Sequence, residues 1–169
     1  LPQLSLHTPI GPLTISAEDE AIVAVDWGWG RDQEPTALLQ AARAWLQRYF
    51  DGAVEAMNFP LAPFGTPYRK RVWGTIRDIP LGATRSYLAI ARLAGGSARS
   101  VGGAMATNPI PILIPCHRVL GSGPRGTLVI GGYSGGEGQE TKQFLLDLES
   151  RASAGAVQAI LPSAIGTTR

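Results

Sequence analysis

Ser86-Tyr87-Leu88-Ala89-Ile90-Ala91-Arg92-Leu93-Ala94-Gly95-Gly96-Ser97-Ala98-Arg99-Ser100-Val101-Gly102-Gly103-Ala104-Met105-Ala106-Thr107-Asn108-Pro109 reads as two short helices around a tight turn. Ser86 is placed to cap a helix through Leu93, and Gly95-Gly96 breaks it. Ser97 caps a second helix from Ala98 to Thr107, and Asn108-Pro109 stops it. That is the outline of a helix-turn-helix. Gly102-Gly103 within the second helix should cost about 1 kcal/mol each against alanine. Close approach of another backbone, a nucleic-acid strand or the chain near Cys116, would be a reason to keep them.

Immediately downstream, the apolar run Pro111-Ile112-Leu113-Ile114 leads into Pro115-Cys116-His117-Arg118. Cys116 is the only cysteine, and His117 is one of two histidines. Cationic neighbours lower a thiol pKa and favour the nucleophilic thiolate. A lone cysteine is equally well a small buried hydrophobe, so these four residues alone leave the choice open. One thiol excludes an intramolecular disulfide and a multi-thiolate zinc site, and two imidazoles argue against a metal centre.

Upstream, Thr66-Pro67 is a cap and first helical residue, with Val72, Trp73 and Ile76 as the apolar stripe and Pro80-Leu81-Gly82 as the stop. Further upstream, Leu4–Thr8 and Leu13–Ser16 alternate around Pro9-Ile10-Gly11-Pro12 and predict a β-hairpin, with Ala21–Trp27 as a third strand. A helix is predicted from Pro35, in the first turn, to Phe50, with Gly52 as its stop. A last helix is expected from about Thr141 to Glu149, followed by an Ala-, Ser- and Gly-rich tail expected to be poorly ordered.

The net charge of +2 conceals a segregation. Residues 1–68 carry three basic and eight acidic side chains, residues 69–125 nine and one, and residues 126–169 three and four. A basic middle segment is the footprint of a polyanion-binding face, although an arginine-rich solvated surface would look the same. At 44% hydrophobic and 17% charged the chain is globular. It has no apolar run of membrane-spanning length and no signal-peptide pattern at Leu1–His7. A free thiol suits a reducing compartment, so an intracellular location is expected, cytoplasmic and nucleoid-associated if bacterial.

These pieces, in this order, resemble the O6-alkylguanine-DNA alkyltransferase family of single-turnover DNA repair proteins. The resemblance is carried by Thr8–Thr14, by Ser86-Tyr87, by Ala98–Met105, by Asn108 through Val119, and by Tyr133-Ser134-Gly135-Gly136. It covers most of the chain. It implies an α+β fold: an N-terminal ribonuclease-H-like antiparallel sheet domain (1–62), a C-terminal winged-helix-like domain carrying DNA binding and the active site (66–150), and the tail (151–169).

The resemblance also implies roles. Cys116 accepts the alkyl group from the O6 oxygen of guanine, irreversibly. His117 acts through a water as the base, Glu149 orients its imidazole, and Tyr87 serves the departing base and presses on the target phosphate. Arg99 fills the gap left by the flipped nucleotide, and Ala98, Ser100, Gly102, Gly103 and Ala104 approach the minor groove of double-stranded DNA. Tyr133, Ser134, Pro111 and Met105 line the alkyl pocket, and Asn108 ties the recognition helix to the active-site segment. Arg118 is expected to be structural or phosphate-facing. No cofactor, metal, membrane or obligate protein partner is implied. The stretch Leu120–Gly132 is longer than the family pattern, as is Gly138-Gln139-Glu140. A non-catalytic alkylated-DNA-binding protein on the same scaffold is the alternative, though such relatives replace the cysteine that this chain keeps.

Overall fold

A computed structural model of the chain describes residues 1–160. Three antiparallel strands open the fold: β1 (Gln3–Leu6), β2 (Leu13–Glu18) and β3 (Ala21–Trp27), in the order β1-β2-β3. The predicted hairpin and third strand are present, with Leu4 opposite Ile15 and Ile15 opposite Val25. These residues alternate with polar ones, so one face of the sheet is apolar. The helix α1 (Ala37–Phe50) covers it with Leu39, Ala42, Trp45, Leu46 and Tyr49. Its cap is Thr36, whose hydroxyl accepts from the Leu39 amide, so Pro35 precedes the helix instead of lying in its first turn. A hydroxyl that can reach an orphan amide outcompetes the proline for the boundary.

The second half is built on α2 (Pro67–Arg77), capped by Thr66 as expected and buried through Val72, Trp73 and Ile76. It buttresses α3 (Tyr87–Ala94) and α4 (Ala98–Ala106), the two predicted short helices. Trp73 Nε1 donates to Ala104 O at 2.8 Å, Arg71 Nε donates to Ala94 O at 2.7 Å, and Tyr68 bonds Gly95 O and Ser100 Oγ. The turn is locked by a capping box between Ser97 and Ser100.

A second small sheet, which the sequence did not announce, joins β4 (Arg85–Ser86), β5 (Val119–Ser122) and β6 (Leu128–Val129) in that order. Its strands are only two to four residues long, so no period-2 pattern could develop. The final helix α5 spans Gln139–Ile160. It continues well past Glu149, so residues 151–160 are helical instead of a loose tail; residues 161–169 lie outside the described residues. Ala152 and Ala154 favour helix, and the extension is seated at Gly82. There φ is +80°, and a Cβ would come within 2.8 Å of Ser153.

The two halves share one continuous core, running from Leu4 and Ile15 through Tyr49 and Trp73 to Ile114, Cys116 and Leu145. Val25 N donates to Pro109 O at 3.0 Å, which pins β3 against the segment leading to the cysteine. Among the described residues no helix is long and apolar enough to cross a membrane.

Candidate active site

The segment before the cysteine is wound tightly. Leu113 N donates to Pro111 O at 2.9 Å around Ile112, whose φ is +72°. An i→i+2 bond at positive φ has the form of the rare, strained γ-turn. A β-branched residue rarely occupies this region, and such backbone costs on the order of 1–3 kcal/mol. Ile112 is nevertheless buried, which offsets the strain through lost apolar exposure. Pro115, at φ −81° and ψ 64°, forms the relaxed inverse turn, with Cys116 N donating to Ile114 O at 2.8 Å. Asn108 brackets the segment: its Oδ1 accepts from Ile110 N (2.9 Å) and its Nδ2 donates to Ile114 O (3.0 Å). Asn108 thereby joins the end of α4 to the approach of the thiol. A 3₁₀ turn, Cys116–Arg118, then presents the three side chains in different directions.

His117 is fully buried, and its Nε2 meets Glu149 Oε2 at 2.5 Å. Glu149 lies about one turn beyond Leu145 on α5 and is also buried. Its carboxylate accepts three side chains: Nε2 of His117, Nε of Arg118 (2.6 Å, to Oε1) and the Tyr49 hydroxyl (2.6 Å, to Oε2). Burial pushes this carboxyl up, but the bonds and charges of His117 and Arg118 outweigh it and hold the group down at about 2. An ionised carboxylate fixes the proton on Nε2 and leaves Nδ1 as the acceptor. Nδ1 is buried and meets no protein partner among the described residues.

Arg118 is buried too. Besides Glu149 it donates to Ile79 O at 2.7 Å. It is therefore structural, and the phosphate-facing alternative is ruled out. Neither neighbour of Cys116 in sequence directs its charge at the thiol. The cation that does is Lys142, whose Nζ donates to Val119 O (2.7 Å) and Gly132 O (3.1 Å). Burial lowers Lys142 to about 8, against the attraction of Cys116. Burial likewise raises the Cys116 thiol, opposed by Asn108, Lys142 and nearby backbone amides. The resting group is thus a protonated thiol, and losing its proton requires a base.

Cys116 lines a cavity of about 290 Å³ with Tyr87, Gly102, Met105, Ala106, Gly132, Tyr133 and Ser134. That size suits one flat heterocycle. Tyr87 opens α3, is half-buried, and has its hydroxyl pushed up by burial and by Cys116, so it stays a donor. Tyr133 packs edge-on against Trp27, 6.3 Å between ring centres, and its buried hydroxyl has no partner among the described residues. Pro111 lies beside a smaller adjoining cavity, about 170 Å³, that also reaches Cys116, Tyr133 and Ser134.

On α4 the assigned residues divide. Ala98, Arg99 and Gly103 are exposed, and Gly102 borders the cavity. A Cβ added to Gly102 or Gly103 would meet nothing within 4 Å. The two glycines therefore do not serve packing against the Cys116 segment; they leave an open face. Ala104 faces the core at 1% exposure, and its carbonyl accepts from Trp73, so its side chain is not offered to a ligand. The Ser100 hydroxyl is engaged in the capping box and with Tyr68.

Sequence reasoning missed Tyr49 and Lys142. Tyr49 reads as one more apolar-stripe residue, and nothing local announces where its hydroxyl ends. Lys142 did leave a signal: it shares a helical face with Leu145 and Glu149, three and seven residues on, where a lysine is out of place. Among the described residues no group of three or more His, Cys, Asp or Glu side chains could hold a metal ion.

Residues 4–63 match the family model described as the 6-O-methylguanine DNA methyltransferase ribonuclease-like domain. Residues 67–151 match that of the DNA binding domain of the same proteins. The chain is 37% identical over 156 residues to the constitutive methylated-DNA–protein-cysteine methyltransferase of Bacillus subtilis, covering 85% of this chain and 92% of that one. It is 36% identical over 153 residues to the protein of that name from Methanosarcina acetivorans, covering 85% and 94%. The fold is similar to that of Mycobacterium tuberculosis OGT in complex with DNA, with a TM-score of 0.77 and 34% identity over 90% of this chain and 94% of that one.

Proposed function

This chain belongs to the 6-O-methylguanine DNA methyltransferase family, and on that premise we propose that it repairs DNA by moving the alkyl group of O6-alkylguanine irreversibly to its own Cys116. The bond from alkyl carbon to O6 breaks as the bond to Sγ forms, and the thiol proton ends on the departing neutral guanine. The observation that carries this is a buried thiol lining a cavity of nucleobase size, next in sequence to a buried imidazole held by a carboxylate. His117 takes the thiol proton at Nδ1 through a bridging water, with Glu149 as its positioning partner. Tyr87 donates toward the departing O6.

The target oxygen lies inside the base stack, so the nucleotide must be extruded, at a cost of a few kcal/mol. Arg99, exposed in the first turn of α4, takes its place in the stack. The glycine face of α4 enters the minor groove of the duplex, where small residues permit close contact. Tyr133 and Ser134 bond the flipped base. The protein acts alone on DNA in the compartment where DNA lies. Incubation with an excess of O6-methylguanine duplex tests the reading. One burst of transfer is expected, equal to one methyl group per protein molecule; continued turnover would contradict an irreversible acceptor.

Gly103 gives a sharper check on the docking face. Because a methyl group meets nothing there, Gly103→Ala should raise stability by roughly 0.5–1 kcal/mol through helix propensity. The same variant should bind duplex DNA more weakly. Thermal unfolding and a DNA titration read the two effects separately; unchanged DNA affinity would remove Gly103 from the interface.

A further inference from the structure

We propose that the β5–β6 ribbon, residues 119–132, is a second DNA-contacting arm, with Arg125 at its tip placed on a backbone phosphate of the duplex beside the extruded nucleotide. The inference rests on the reading of the cavity as the site for the flipped base. Its first support is where the ribbon is anchored. β5 pairs with β4, the strand that ends in the Ser86 cap of α3, so the ribbon and the two-helix unit are one piece. The return arm supplies Gly132, Tyr133 and Ser134 to the cavity, while α4 supplies Gly102, Met105 and Ala106. A duplex delivering a nucleotide between them has α4 on one side and the ribbon on the other.

The second support is bracing at the neck and exposure at the tip. Lys142 Nζ bridges Val119 O and Gly132 O, at the two ends of the ribbon, and Gln139 Nε2 donates to Gly131 O at 2.9 Å. From Val119 to Ser122 the arm extends four residues, roughly 13 Å. Pro124, Arg125, Gly126, Thr127 and Leu128 are all exposed.

The third is the residue chosen for the tip. Arg125 is the single charged residue between 119 and 136. It adopts φ +59° between Pro124 and Gly126, a conformation that favours glycine, and it makes no ion pair among the described residues. A glycine would relieve the turn; arginine keeps a cation there instead. On an arm braced at the pocket and directed beside it, a lone guanidinium suits a phosphate, which it binds through paired donors. Leu128, 45% exposed on the same ribbon, suits the apolar edge of a deoxyribose.

The test measures binding to an unmodified duplex as a function of salt, for the intact chain, Arg125→Ala, Arg125→Lys and Arg48→Ala. Loss of one phosphate contact reduces the slope of log affinity against log salt by about 0.9. Arg125→Ala is expected to show that reduction, with affinity down roughly three- to tenfold at moderate salt. Arg125→Lys should keep the slope, and so should Arg48→Ala, which removes an equal charge from α1. An Arg125→Ala slope equal to that of the intact chain overturns the proposal. Transfer from free O6-methylguanine base provides the second readout: the Arg125→Ala loss should be larger on duplex than on free base. Equal losses would mean that the ribbon acts only through the pocket wall, and the arm would be rejected. Salt-insensitive binding by the intact chain would instead sink the underlying DNA-repair reading.

Discussion

Cys116→Ala is expected to transfer no detectable alkyl group while binding duplex DNA with nearly undiminished affinity. The chain has no other thiol to take over. The side chain is small and buried within a continuous core, so trimming its sulfur should change stability by only about 1 kcal/mol. Because burial pushes the thiol pKa up and favours the protonated form at rest, the variant removes no charge from the cavity, and the exposed residues of α4 are untouched. Transfer assayed with labelled O6-methylguanine duplex, next to a binding titration, separates the two properties. Residual transfer would move the acceptor elsewhere. Loss of both activities would make the thiol a structural element of the DNA site.

Glu149→Ala is expected to cost about 3–5 kcal/mol of stability, the largest effect predicted for any single truncation here. It would leave Arg118 charged and buried with only Ile79 O, and Tyr49 and His117 without their acceptor. Glu149→Gln preserves shape but not charge, so its loss should be smaller. The acid limb of the stability profile carries the same information. The Glu149 carboxyl sits at about 2 when folded, against an ordinary 4.5. The unfolded chain therefore takes up this proton at higher pH than the folded chain. Its contribution, on the order of 3 kcal/mol, is full above about pH 4.5 and is lost as pH falls toward 2. Chemical unfolding between pH 2 and 6 should show that decline in the intact chain and a flatter limb in Glu149→Gln. Parallel profiles would mean that the carboxylate is not held by this network.

Much of this arrangement was legible in the sequence because its signals are local. Ser86, Ser97, Gly95-Gly96 and Asn108-Pro109 define α3 and α4 through caps and breaks that need no tertiary context. The alternation in β1 and β2 and the apolar run of β3 are equally local. The thiol and the imidazole stand out in the sequence as the only cysteine and one of two histidines; their roles, and Glu149, were reached through the family resemblance, since nothing near Glu149 marks it as a partner of a residue 32 positions away.

What stayed hidden depends on contacts between distant segments. Arg118 was the least explained residue of its motif because its partners, Glu149 and Ile79, lie 31 and 39 positions away. Tyr49 reaches the same carboxylate across 100 positions, from the other half of the molecule. The motif alone left open whether Cys116 is a thiol activated by neighbouring cations or a small buried hydrophobe. The structure gives a buried thiol, with Arg118 turned away and Lys142 turned inward, so the proposed mechanism assigns activation to the imidazole at the moment of reaction. The stretch Leu120–Gly132 stood out for its length, but its strands went unread because glycines at 121, 123, 126, 131 and 132 read as loop.

The most direct test weighs the peptide that carries Cys116 after the intact protein has met an O6-methylguanine duplex. The predicted result is a gain of one methyl group in place of hydrogen on that peptide alone, in equal number to the methyl groups lost from the DNA. An unmodified Cys116 peptide from protein that binds the damaged duplex tightly would contradict the account and favour a non-catalytic lesion-binding protein.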